Sequence, residues 1–204
     1  KYIKLMDITW LGENSFKIND DMIDVLVNPN TKTFDKSSIS ENTLIVDTDE
    51  SNAIDTNQTK VNSPGEYEIN SASIHGVANS IVKDQERSIS TCYRIESRGL
   101  SVAVVGMIGS PLDSEALSVL SSSHAVVVSP DNSNIDSEIL ANTIRSIEPR
   151  KIIISGFDKS SGKPSKNLDA IIKVLGVKDF EPRSKASFTL SSLGDTQEII
   201  ILEK

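Results

Sequence analysis

Ala125-Val126-Val127-Val128, the segment 136–147 and Lys151-Ile152-Ile153-Ile154 read in that order as strand, helix and strand. The first run is wholly apolar, and so is the second after its leading lysine; both are short and bounded by polar residues, the form of strands buried on both faces. Between them Ile139, Leu140, Ile144 and Ile147 recur at helical spacing, so one face of 136–147 is apolar. Pro149 stops that helix, because a proline has no N–H to donate and disfavours helical geometry in the residue before it. Such a unit calls for a parallel sheet with helices packed on it.

Working outward, Leu168, Ile171, Ile172 and Leu175 predict a further amphipathic helix, closed by Gly176. Ser187-Phe188-Thr189-Leu190 and Ile199-Ile200-Ile201-Leu202 read as two final strands. Upstream, Leu112, Ala116, Leu117 and Leu120 share one side of a helix over 113–120, capped by Asp113 or Ser110. The N-terminal half is strand after strand: 3–10, 15–18, 22–27 after an Asn19-Asp20-Asp21 turn, 44–46, 68–69, 73–74, 89–95 and 100–105. Ile and Val outnumber Leu by 40 to 14, a bias toward the pleated surface of strands. The stretches 37–42 and 131–137 read as surface loops. With no linker-like block and no internal repeat, the pattern predicts a single α/β domain over 1–204, with one large mixed sheet or two sheets.

The 204 residues carry a net charge of −8 and are 37% hydrophobic. Leu, Ile, Val and Phe supply 59 of them, well above the ~20% below which a chain stays disordered. A pI near 4.8, with no Lys/Arg cluster, argues against nucleic-acid and anionic-membrane partners. No apolar run approaches the ~18 residues of a membrane-spanning helix, and nothing at the start reads as a signal peptide. One cysteine, Cys92, excludes an intrachain disulfide and a cysteine-based zinc site. The expected location is the cytoplasm.

Five segments, in order, resemble one family. Ile8-Thr9-Trp10-Leu11-Gly12 followed by Ser15-Phe16-Lys17-Ile18 is similar to the opening strand pair of the metallo-β-lactamase superfamily. Within it, the similarity is to the small bacterial zinc-dependent hydrolase branch related to lactonase-like members. Val27-Asn28-Pro29 stands where that branch has Asp-Pro, and Ser63-Pro64-Gly65-Glu66-Tyr67-Glu68-Ile69 resembles its Pro-Gly-Glu-Tyr-Glu segment. The stretch from Val105-Gly106 through 120, and Ile147-Glu148-Pro149-Arg150 with its following strand, complete the match. The resemblance implies a four-layer αββα sandwich. It also implies metal-assisted hydrolysis, in which a pair of zinc ions polarises the substrate and makes hydroxide at neutral pH.

The ligands that this chemistry needs are missing from the matching positions. A His-x-His-x-Asp-His segment should follow the strand 44–46; Thr48, Glu50, Asn52 and Ala53 stand at its four ligand places. Glu13 and Asn14 replace His-Ser, Met107 replaces the bridging Asp, and Phe157 replaces the final His. The remaining His position falls within 79–82, which contains none. Two histidines, His75 and His124, cannot supply a dinuclear imidazole site. The expectation is therefore a degenerate member of the family, with no catalytic residue, no metal and no cofactor. Glu13, Thr48, Glu50, Asn52, Ala53, Met107 and Phe157 would then be vestigial cleft positions.

Competing readings stay open at this point. Asp47, Asp49 and Glu50 on one loop could hold Mg²⁺, Mn²⁺ or Ca²⁺, which take oxygen ligands, although Asp- and Asn-rich loops commonly just make turns. A cleft lined by Thr48, Asn52, Met107 and Phe157 could take a small ligand. His75, His124 and Cys92 read as structural, since none has an acid–base or nucleophile partner at a telling spacing. No Gly-x-Ser-x-Gly elbow, phosphate loop or dinucleotide fingerprint occurs. Binding or assembly, including self-association, is the role left for such a fold, and the sequence names no partner.

Overall fold

A computed structural model of the chain describes residues 5–32, 35, 39–49, 54, 56–83, 86–132 and 136–204. In chain order the first elements are β1 (Met6–Gly12), β2 (Ser15–Asn19), β3 (Asp24–Val27), β4 (Leu44–Val46) and β5 (Lys60–Val61). β6 (Gly65–Ile69), β7 (Ala72–Lys83), β8 (Glu86–Ser97) and β9 (Leu100–Val104) follow. Then come α1 (Ser114–Leu120), β10 (Ala125–Val128), α2 (Ser137–Ile147), β11 (Lys151–Asp158), β12 (Lys163–Pro164) and α3 (Lys166–Val174). β13 (Lys185–Phe188) and β14 (Glu198–Glu203) close the chain.

The strands make two sheets. One has the order β13-β1-β2-β3-β4-β5; the other runs β12-β11-β10-β9-β8-β7-β6, with β14 parallel to β11. Alternation explains the first sheet. Met6 and Ile8 of β1, with Ala186 and Phe188 of β13, are buried between the sheets. Asp7, Lys185 and Ser187 take the opposite face, where Lys185 pairs with Asp7 at 2.8 Å. In the second sheet β9, β10, β11 and β14 are parallel, and both of their faces are covered. Val102, Val104, Val127, Ile153 and Ile200 point into the space between the sheets. Ala103, Val126, Val128, Ile152, Ile154 and Ile201 meet Ala116, Leu120, Leu140, Ile144, Leu168 and Ile171 from the three helices. On the outer side of the first sheet, Leu26, Ile45 and Ile54 pack together with Leu11.

These are β, β and α layers of the four-layer αββα sandwich that the resemblance implies; among the described residues all three α-helices pack on the second sheet. The strand–helix–strand unit appears as read, with Asp136 capping α2 through the Glu138 N–H and Ser165 capping α3 through Leu168. Asp113, rather than Ser110, caps α1. Several boundaries move. Asp20 Oδ1 accepts from the N–H groups of Met22 and Ile23, so β3 starts at Asp24 and not at 22. Leu190 belongs to a 3₁₀ turn after β13. The fragments expected at 73–74 and 89–95 are parts of a hairpin paired without a break from Ser73↔Glu96 to Lys83↔Glu86. That hairpin includes the segment 79–82. Residues 3–4, Glu50, Asn52 and Ala53, and parts of the loops read at 37–42 and 131–137, lie outside the described residues. Among the described residues no helix is long and apolar enough to cross a membrane.

Candidate functional site at the strand ends

Parallel strands from both sheets end at one rim. Asn28 follows β3, Asp47 and Thr48 follow β4, Gly106 and Met107 follow β9, Ser129 follows β10, and Phe157 lies near the end of β11. Asn28 has left-handed backbone geometry, φ 47°, which asparagine tolerates better than most residues. Its side chain faces the next strand end. Oδ1 accepts from the Thr48 N–H at 2.7 Å and from the Thr48 hydroxyl at 3.0 Å, and Nδ2 donates to the Asn14 carbonyl at 3.3 Å. The Thr48 carbonyl in turn accepts from the Thr91 N–H at 2.7 Å and the Ser90 hydroxyl at 3.2 Å. Thr48 thus joins the first sheet to β8 of the second, and is 1% exposed.

Gly106 makes that joint close. A Cβ there would lie 2.6 Å from Ser90 Oγ, 2.7 Å from the Thr91 carbonyl and 2.9 Å from Thr48 Cβ. Asn79, on the hairpin, donates through Nδ2 to the Met107 carbonyl at 3.2 Å. Ser129 donates to the Glu13 carbonyl at 3.0 Å, drawing the β1–β2 turn onto the rim.

Asp47 is the buried charge of the region. Its carboxylate forms an ion pair with Lys60 of β5, Oδ2 to Nζ 2.7 Å, with the two side chains 1% and 25% exposed. Oδ1 has no hydrogen-bond partner among the described residues. Burial pushes the acid's pKa up, Lys60 pulls against that shift, and the charge of Asp49 adds to it. The Tyr93 hydroxyl donates to the Asp47 carbonyl at 3.1 Å, and the Tyr67 hydroxyl to that of Ser63 at 2.9 Å. Desolvation raises the phenol pKa of Tyr93.

A zinc pair needs imidazole, thiolate or carboxylate donors turned into a common space. Thr48 has its hydroxyl committed to Asn28. Glu13 is half exposed, its carboxylate engaged by Asn30 Nδ2 at 3.2 Å and by Lys32 Nζ at 3.1 Å. Met107 offers a thioether, and Phe157 a ring that meets Phe180 edge to face at 5.9 Å. Among the described residues no group of three or more His, Cys, Asp or Glu side chains could hold a metal ion. These residues do not fit a zinc pair. Glu50, Asn52 and Ala53 lie outside the described residues. Asp47, one of the three carboxylates considered for an oxygen-liganded ion, already carries Lys60, which a cation would have to displace.

The histidines and the cysteine have other partners. His75 Nε2 lies 3.3 Å from Ser73 Oγ. His124 Nδ1 accepts from the Ser101 N–H at 3.1 Å and stands 2.9 Å from the Ser101 hydroxyl. Cys92 is fully buried, and desolvation raises its thiol pKa to about 11, so it is no nucleophile at neutral pH. Sequence reading missed the roles of Lys60, Ser90, Thr91 and Tyr93. Only Asn28 left a signal, as the variant residue of an Asp-Pro segment.

The layer order and the rim define a metallo-β-lactamase-type sandwich. The sequence model of the beta-lactamase superfamily domain matches residues 7–154, and the chain belongs to that family. Among solved structures, it is similar to a protein from Thermotoga maritima described as a Zn-dependent hydrolase of the metallo-β-lactamase superfamily. That match has a TM-score of 0.71 at 15% identity and covers 98% of this chain and 100% of the other. A protein from Parabacteroides distasonis described as a metal-dependent hydrolase gives 0.64 at 12%, covering 98% and 92%. Igni18, a metallo hydrolase from Ignicoccus hospitalis, gives 0.64 at 12%, covering 91% and 99%. At these identities the likeness is one of fold. No curated protein sequence matches the chain.

Proposed function

We propose that this chain keeps the metallo-β-lactamase fold without its dinuclear metal site and serves in binding or assembly, not in hydrolysis. Thr48 carries the reading. It stands at the first ligand place, yet its N–H and hydroxyl donate to Asn28, its carbonyl accepts from Thr91 and Ser90, and only 1% of the residue is exposed to anything outside that joint. Glu13, Met107 and Phe157 support it through the partners and chemistry described above, and the residue types of Asn52 and Ala53 agree with it. Glu13 and Glu50 retain carboxylates, and that of Glu13 is engaged by Asn30 and Lys32.

The whole chain, 1–204, acts in this reading as one domain, with no metal or cofactor, in the cytoplasm, where a lone thiol stays reduced. Partners are proteins or small molecules rather than nucleic acid or membrane; a second copy of the chain is one of them. The test is turnover of activated carboxylic and phosphate esters by protein supplemented with Zn²⁺, Mn²⁺ or Mg²⁺. No metal-dependent rate above background is expected. Saturable turnover that a chelator abolishes would overturn the proposal.

A further inference from the structure

We propose that the joint between the two sheets at the end of β4 is pinned by an internal ammonium, that of Lys60, and needs no metal ion to hold it. This rests on the metal-free reading and names the cation that does the work instead. Register places the pair. β4 and β5 run parallel with Ile45 opposite Lys60 and Val46 opposite Val61. Val46 and Val61 point into the core between the sheets, while Ile45 packs on the outer face. By alternation Lys60 and Asp47 belong to that outer face.

Asp47 is bound on three sides. Its N–H donates to the Val61 carbonyl at 2.9 Å, its carbonyl accepts from Tyr93 of β8, and its carboxylate meets Lys60. Thr48 follows at once, bonded to Asn28 and to β8. Without the ammonium, a buried carboxylate would be left with neither oxygen paired among the described residues and with Asp49 repelling it, and it would have to move toward water or take a proton. Either change pulls on the backbone that links the sheets. Ile45 and Ile54, on this same outer face, are apolar and offer the carboxylate no hydrogen bond.

Site-resolved amide exchange tests the pin at Asp47, Thr48 and Thr91, whose N–H groups bond to Val61, Asn28 and Thr48; Leu140 in α2 is the reference. In the wild type, EDTA and added Zn²⁺ are expected to leave all four rates unchanged. Lys60→Met is expected to accelerate the three rim amides about tenfold or more over Leu140, and Lys60→Arg to stay within about threefold of wild type. Lys60→Met combined with Asp47→Asn, which removes both charges, is expected to recover most of the protection. Rim amides unmoved in Lys60→Met, or accelerated only as much as Leu140, would overturn the pin. Acceleration by EDTA in the wild type would instead bring down the metal-free reading itself.

Discussion

At Asn28 a single amide oxygen serves two donors of Thr48, and both donors are buried. Asn28→Ala leaves that N–H and hydroxyl unsatisfied and puts an alanine at a φ of 47°. The expected loss is about 2–4 kcal/mol of unfolding free energy in urea; a loss under about 0.5 kcal/mol would contradict the role given to this residue. His124 has a pH-dependent part. Its Nδ1 accepts a backbone N–H, so the ring must be neutral there, and burial followed by the charge of Arg94 holds its pKa below the ordinary 6.5. The unfolded chain therefore takes up this proton more readily than the folded one. Stability from this group is complete above about pH 6.5 and is lost as pH falls through the lowered value. His124→Asn, which keeps an acceptor but does not titrate, is expected to flatten the stability curve just below pH 6.5. An unchanged slope there would contradict the assignment.

Among the elements, the close approach of β9 to β8 and β4 is the most sharply testable. Gly106→Ala drives a methyl into the Thr91 carbonyl and Thr48, and backbone cannot swing aside as a side chain can. A destabilisation of about 1–3 kcal/mol is expected in chemical denaturation; a neutral effect would mean that the joint is looser than described. Legibility differed by element for physical reasons. β10, β11 and α2 each declare themselves in a few residues, because burial on both faces or on one helical stripe leaves a local pattern. The β7–β8 hairpin does not. The sequence Lys83-Asp84-Gln85-Glu86-Arg87 breaks the apolar alternation, and the hairpin's continuity lies in cross-strand pairing rather than in either strand alone. β5 and β12, two residues each, are too short to carry a period.

For the whole molecule, the C-terminal strands matter most. β13 closes on β1 and β14 on β11, so the last twenty residues complete both sheets. The first sheet and the sheet-and-helix half are then expected to unfold together. Fluorescence of Trp10, the single tryptophan, which lies in β1, and far-UV circular dichroism should give coincident transitions. Separate midpoints would contradict one cooperative unit. The site is legible only in part at this scale. The residue types at the ligand places can be read by lining the chain up with its family, but the bonds that use them cannot. Asn28 reaches Thr48 twenty positions on, Tyr93 reaches Asp47 from forty-six away, and no periodicity encodes either meeting.

In the function proposed above, no metal is held where the family holds two. Elemental analysis of untagged protein, purified without chelator, dialysed against Zn²⁺, Mn²⁺ and Mg²⁺ and then freed of excess ion, tests it most directly. Essentially no tightly bound metal per chain is expected. One or two equivalents, retained through the final dialysis and lost to a chelator, would contradict the account and return attention to Asp47, Asp49 and Glu50.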